Sequence, residues 1–223
     1  MTIESRGHEY EFEPQYGLPE RLPADERLLW QGSPDVGTLA SRVFHVRKLA
    51  LYFAVLLTAR AAMALSSGAG WLEAAASIKW FAPLAIAGLA SVGVLAWLTA
   101  RTTVYTLTDK RVVMRVGIVL TVTFNLPLRQ IEAAGLRDGA AGFGDITLAL
   151  AGRDRIAWLQ LWPSVRPWRF TRPEPMLRAI PNARAVAEQL MTAWSAATGM
   201  EPTAATAPPA LPARMPHWQT SPT

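Results

Sequence analysis

The sequence predicts an α+β membrane protein, in which a transmembrane helical hairpin carries a small antiparallel β-barrel or sandwich capped by a C-terminal helix. Three observations lead there. Charged residues are 17% of the 223 residues and the mean hydropathy is +0.16, against about 25% charge in an ordinary soluble domain. The apolar excess is concentrated: no charge occurs from Trp80 to Ala100, and Arg60 is the only one from Leu49 to Leu65. Downstream, short β-branched runs alternate with Gly, Asp and Pro, the period of strands and turns.

Residues 1–48 form an N-terminal segment with eight acidic residues before position 36 and no apolar core of a signal peptide. Residues 49–100 are the hairpin, since each apolar run approaches the roughly 20 residues that cross a bilayer. Arg42, Arg47 and Lys48 precede it and Arg101, Lys110 and Arg111 follow it. Positive-inside counting therefore puts both ends in the cytoplasm and the loop from Ser66 to Lys79 on the other side. Val112 to Leu128 is a third apolar run, but Arg115 interrupts it and Gly117, Asn125 and Pro127 break it. Its β-branched composition reads as strand.

Residues 101–198 form the β domain. Strands are expected at TTVYTLT, RVVMRVGI, LTVTFNL, DITLALA and RIAWLQLW, with a turn at Asp109 and Lys110. The glycine-rich GAAGFGD matches no phosphate-binding spacing and leads into a strand, so it reads as a tight turn. Asn182 is the expected N-cap of a helix over 183–197, with Val186, Leu190, Met191 and Trp194 along one stripe. Residues 199–223, rich in Pro and Ala, read as a disordered tail.

The chemistry available is that of binding. Without cysteine there is no disulfide, thiolate metal site or thiol nucleophile, and His8, His45 and His217 are scattered, with no carboxylate pair or Ser-His-Asp order. The reading is a protein that is not an enzyme, with no cofactor and no metal. No histidine lies within 49–65 or 80–100, so a buried imidazole for a tetrapyrrole magnesium is not expected; His45 reads as a headgroup or hydrogen-bonding residue.

Arg60 is the intramembrane polar residue, about 18 Å from Lys48 in a core of about 30 Å, where arginine costs ~2.5–3.5 kcal/mol. It must snorkel toward Ser66 or meet a partner helix. Ala85, Gly88, Ser91 and Gly93 read as a face for packing within the hairpin. The most informative soluble stretch runs from Leu161 to Arg178, where Trp162, Trp168 and Phe170 interleave with Arg166, Arg169, Arg172 and Arg178. One reading packs the aromatics on the β domain with solvated arginines. The other makes Trp162, Arg166, Trp168, Arg169, Phe170 and Arg172 a partner-binding surface, because Trp and Arg anchor protein interfaces; the same chemistry suits an anionic membrane surface. Nucleic acid is not an expected partner, since basic and aromatic residues alone are unspecific.

These residues also carry a resemblance. Two spans followed by TTVYTLTDKRVVMRVG, NLPLRQI and GDITLAL, with ERLLWQGSPD ahead of the hairpin, resemble the bacterial pleckstrin-homology family over residues 26–195. HEYEFEPQYGLPERLP, FHVRKLALYFAVL and LALAGRDRIAWLQLWPSVRPWRFTRPEPMLRAIP further resemble photosynthetic complex assembly proteins of purple bacteria. The resemblance implies a pleckstrin-homology-like β domain on a multi-pass protein of the bacterial inner (intracytoplasmic) membrane. It also implies a factor that helps assemble the reaction centre with its core light-harvesting complex, with the reaction-centre H subunit and core light-harvesting subunits as partners. The family is usually drawn with three spans, whereas two are read here. Membrane lipids and a homo-oligomer stay open as partners, and a general lipid-binding module is the alternative function.

Overall fold

The computed structural model describes residues 17–139, 142–151 and 156–200. The readings of His8, His217 and the tail from 201 onward lie outside those residues. Along the chain come β1 (Leu28–Gly32), α1 (Val36–Arg42), α2 (Val46–Ser66), α3 (Trp71–Ser77), α4 (Phe81–Thr102), β2 (Val104–Thr108), β3 (Arg111–Val116) and β4 (Val122–Pro127). Then follow β5 (Ile131–Asp138), β6 (Phe143–Leu150), α5 (Trp158–Leu161), β7 (Met176–Pro181) and α6 (Ala183–Thr198).

α2 and α4 have 21 and 22 residues and are long and apolar enough to cross a membrane, about 31 Å at 1.5 Å per residue. Most of their side chains face outward, with no buried residue on α2. Of the small residues read as a packing face, Ala85 is buried and Gly88 lies against Phe53, where an added Cβ would stand 3.6 Å from the ring. Ser91 is exposed and Gly93 has open space around it, so the helices meet over only part of the stripe.

The strands form two antiparallel sheets, ordered β1-β2-β3-β4 and β5-β6-β7. No closed barrel results, contrary to one of the expected forms. Pro127 ends β4 with no amide hydrogen to donate, and a 3₁₀ turn at Leu128–Gln130 redirects the chain before β5, so β4 and β5 do not pair. The apolar run from 112 to 128 is β3 and β4 with this turn. The sheets instead share one core: Tyr105, Leu107, Val112, Met114 and Leu126 from the first meet Ile146, Leu148, Leu177 and Ile180 from the second, and α6 covers them with Val186, Leu190 and Ala193. Trp194 Nε1 donates to the Ile131 carbonyl at 2.8 Å and fixes the helix on β5.

Asn182 does stand at the N-cap of α6, but its side chain makes no cap hydrogen bond and its φ is 51°. Its use is the left-handed turn out of β7, which asparagine tolerates. Within RIAWLQLW the described residues 156–162 are corrected from strand: Trp158–Leu161 form a helical turn, α5, and Trp162 and Pro163 follow it.

β1 comes from the segment ahead of the helices and pairs with β2, which follows them; Gln31 Nε2 donates to Thr106 Oγ1 at 2.9 Å across 75 positions. Trp30 packs against the core, while Leu28 and Leu29 are exposed. The same segment straps the β2–β3 turn. Glu26, nearly buried, accepts from Thr108 Oγ1 at 2.7 Å and from Arg111 Nε and Nη2 at 2.8 and 2.9 Å, and Asp25 pairs with Lys110.

Tyr105 is completely buried, shares a 2.7 Å hydrogen bond with Ser164 and accepts from the Arg178 amide at 3.3 Å. Burial pushes its phenol above the ordinary 10.0, the two hydrogen bonds opposing that rise. A raised native value means stability that is complete below the unfolded value and lost as pH climbs from there through the native one. Tyr105→Phe should therefore cost about 1 kcal/mol near neutrality and flatten the alkaline fall in stability. Denaturant unfolding of the detergent-solubilised chain across that range reads both; an alkaline limb as steep as the parent's would assign the fall to another group.

Candidate partner-binding groove

The segment between α5 and β7 folds into an irregular hairpin. Met176 N donates to the Ser164 carbonyl and Arg166 N to the Glu174 carbonyl, both at 2.9 Å, and Val165 bridges Pro175. Prolines at 163, 167, 173 and 175 prevent a regular ladder. The hairpin is held by charge instead: the Glu174 carboxylate accepts from Arg166 Nη1 at 2.7 Å and lies 3.6 Å from Arg169 Nε.

That pairing divides the residues expected to bind a partner. All six stand on this one lobe; Arg166 and Arg169 pair with Glu174 and shape the loop, with the Arg169 side chain still half exposed. What the tip presents is aromatic: Trp168, at φ 65°, is 87% exposed and Phe170 60%. Their rings meet edge to face at 6.4 Å, and Phe170 leans on Trp158 at 5.3 Å, the offset geometry aromatic quadrupoles favour. Arg172 is exposed, and Trp162 sets its ring edge-on to Phe44, 5.8 Å away.

Between this lobe and the junction of α1 with α2 lies a groove of about 780 Å³. One wall is Trp158, Trp162, Trp168 and Phe170; the other carries Arg42, His45 and Lys48, with Arg137, Asp145 and Arg178 across the floor. Asp35 builds the second wall, capping α1 through Thr38 N at 2.7 Å while its own amide donates to the Ala179 carbonyl at 2.8 Å. Asp145 in turn accepts from Ala179 N at 2.9 Å, holding that residue at φ 51°. Arg178 donates from Nη2 to the Val165 carbonyl at 2.5 Å; burial draws its pKa down while nearby Asp145 opposes the change. Arg178 Nε and Trp158 Nε1 are buried without a hydrogen-bond partner among the described residues.

Sequence reasoning assigned Arg42 and Lys48 to topology alone and missed Arg137, Asp145 and Trp158. Their spacing carries no signal, because the fold brings them together from five separate elements. The arrangement offers donors and aromatic faces, suited to holding a group with acceptor atoms and apolar surface. Among the described residues no three His, Asp or Glu side chains come together as metal ligands would.

Arg60 is far from this groove. Its guanidinium lies over the Phe81 ring, 5.9 Å from the centroid, in a recess between α2 and α4 lined by Phe53, Leu56, Leu57, Leu84 and Ala85. It reaches across the hairpin to the start of α4, and the ring supplies a cation–π partner.

Residues 49–194 match the family described as the bacterial PH domain. Over 204 residues, 91% of this chain and 95% of the other, the sequence is 35% identical to a protein of Rhodobacter capsulatus named "Uncharacterized 23.7 kDa protein in puhA 5'region". No solved structure matches. On the family match and on a relative aligned over almost its whole length, this chain belongs to the bacterial PH domain family.

Proposed function

We propose that this chain is an integral membrane factor that assists assembly of the photosynthetic reaction centre with its core light-harvesting complex. It acts by binding nascent subunits, the reaction-centre H subunit first, and catalyses no reaction. The relative encoded in the puhA 5' region supports a photosynthesis-operon context. α2 and α4 support a two-span protein of the inner membrane, with the domain and both termini on the cytoplasmic side because the basic residues flank the hairpin there.

The observation that carries the reading is the aromatic tip. An 87% exposed tryptophan on a loop clamped from within by Glu174 is a preformed anchor, and exposed Trp beside Arg is what interface hot spots are made of. Trp168→Ala with Phe170→Ala removes the anchor and keeps the clamp. Affinity purification of the tagged chain from native membranes should then recover reaction-centre and core-antenna subunits several-fold less than the parent does, at equal chain abundance. Equal recovery would remove the tip from the interface.

A second reading is favoured by the basic groove wall: Arg42, Lys48, Arg137 and Arg178 suit an anionic headgroup beside the first span. In that case anionic lipid, and no photosynthetic subunit, would accompany the purified chain.

A further inference from the structure

The β3–β4 turn presents apolar surface with no cover from the rest of the described chain. Gly117 to Thr121 contains Ile118, Val119 and Leu120 in succession, and Val119 is 90% and Leu120 82% exposed. Val119 is the most exposed large hydrophobic residue described. Hairpin turns ordinarily take Gly, Asn, Asp, Pro or Ser, so three consecutive aliphatics at a tip call for a covering surface.

Register shows where that tip stands. β2 starts at Val104, with only Thr103, in extended conformation, between it and the end of α4. β3 runs back toward the same end: Val104 pairs with Arg115, and Val116 then pairs with Val122. The turn thus continues past the point where the sheet joins α4. At about 3.3 Å per residue, two or three further residues carry the tip roughly 7–10 Å beyond that junction. At the end of α4 the Arg101 guanidinium lies over the Trp97 ring, 5.1 Å from its centroid, and Trp with Arg at a helix end is the pattern of a membrane interface. With a one-residue connection, the domain has no linker on which to stand away from the bilayer.

We propose that the β3–β4 turn is a membrane anchor, with Val119 and Leu120 inserted into the boundary between headgroups and acyl chains on the domain's side of the bilayer. The proposal rests on the reading of α2 and α4 as spans. It also accounts for the exposed aliphatics of the turn within the apolar window at 112–128, whose other apolar residues line the core.

The cysteine-free chain allows a direct test. The full-length protein carrying Val119→Cys, and separately Leu120→Cys, is labelled with an environment-sensitive fluorophore and reconstituted in vesicles of phosphatidylcholine and phosphatidylglycerol. Val94→Cys, outward-facing on α4, and Thr192→Cys, exposed on α6, serve as references. The expected result is blue-shifted emission at 119 and 120, quenched most by lipids spin-labelled near the headgroup. Position 94 should be quenched by labels deep in the chains, and 192 by neither. Quenching at 94 with water-like, unquenched emission at 119 and 120 overturns the anchor and leaves the spans standing. Loss of quenching at 94 as well overturns both. Blue-shifted emission at 119 that no spin-labelled lipid quenches means a protein surface covers the tip, and overturns the lipid assignment.

Discussion

Arg111→Ala should lower the stability of the full chain by ~3–5 kcal/mol, whereas Glu26→Gln should cost only ~1–2 kcal/mol. The asymmetry follows from burial. The Glu26 side chain is 3% exposed and the Arg111 side chain 28%. Removing the guanidinium strands a carboxylate in the interior with, among the described residues, the Thr108 hydroxyl as its remaining side-chain donor, and an unpaired buried charge is expensive. Removing the negative charge while keeping an amide leaves Arg111 able to turn toward water. Chemical unfolding of the two variants in one detergent, followed by circular dichroism, gives the comparison. Equal losses would mean that the strap over the β2–β3 turn is held by Lys110 with Asp25 and by backbone bonds, with the Glu26 network contributing little.

Gly117→Ala should be the most damaging glycine substitution in the β domain. Gly117 has φ +124°, and an added Cβ would lie 2.0 Å from the Leu120 carbonyl oxygen and 2.9 Å from its carbon. Both are backbone atoms of the turn itself, so no side chain can swing aside. The backbone angle alone costs on the order of 1–3 kcal/mol for a residue with a side chain, and the clash adds to it by forcing the turn open. Gly93→Ala is the matched control. That glycine is within α4 with open space around it, where alanine is the better helix former. A loss below about 1 kcal/mol at 117 would show that the turn can relax into another form.

The two long helices were legible because an apolar run of the right length with at most one charge has few alternatives. β2, β3, β4 and β6 were legible because short runs rich in β-branched residues are separated there by turn-forming residues. β5 was not, since IEAAGLRD is dominated by small and charged residues, and its pairing with β6 comes from the hairpin that connects them. β1 was missed for another reason: LLWQG is short and half exposed, and its partner lies beyond two helices. The short apolar run at 156–162 read as strand from its composition, yet Pro163 follows it and Trp158–Leu161 closes as a helical turn.

The candidate site was half visible. The cluster of Trp and Arg could be seen on one segment, but the meeting of Arg166 and Arg169 on Glu174 needs the irregular hairpin that brings position 174 back beside 166. The groove's far wall is tertiary, with Arg42 and Lys48 placed by α1 and held through Asp35 to β7.

The pairing of β1 with β2 sets the order in which the protein can be made. Residues 28–32 leave the ribosome early and must wait, unpaired, while both apolar helices are synthesised and put away. The sheet closes only when 104–108 appears, so, on the proposed reading of α2 and α4 as spans, completion of the domain would report that the hairpin has returned the chain to the side from which it left. A product that failed to come back would keep an open edge and an uncovered core, which places a quality check on topology inside the fold itself.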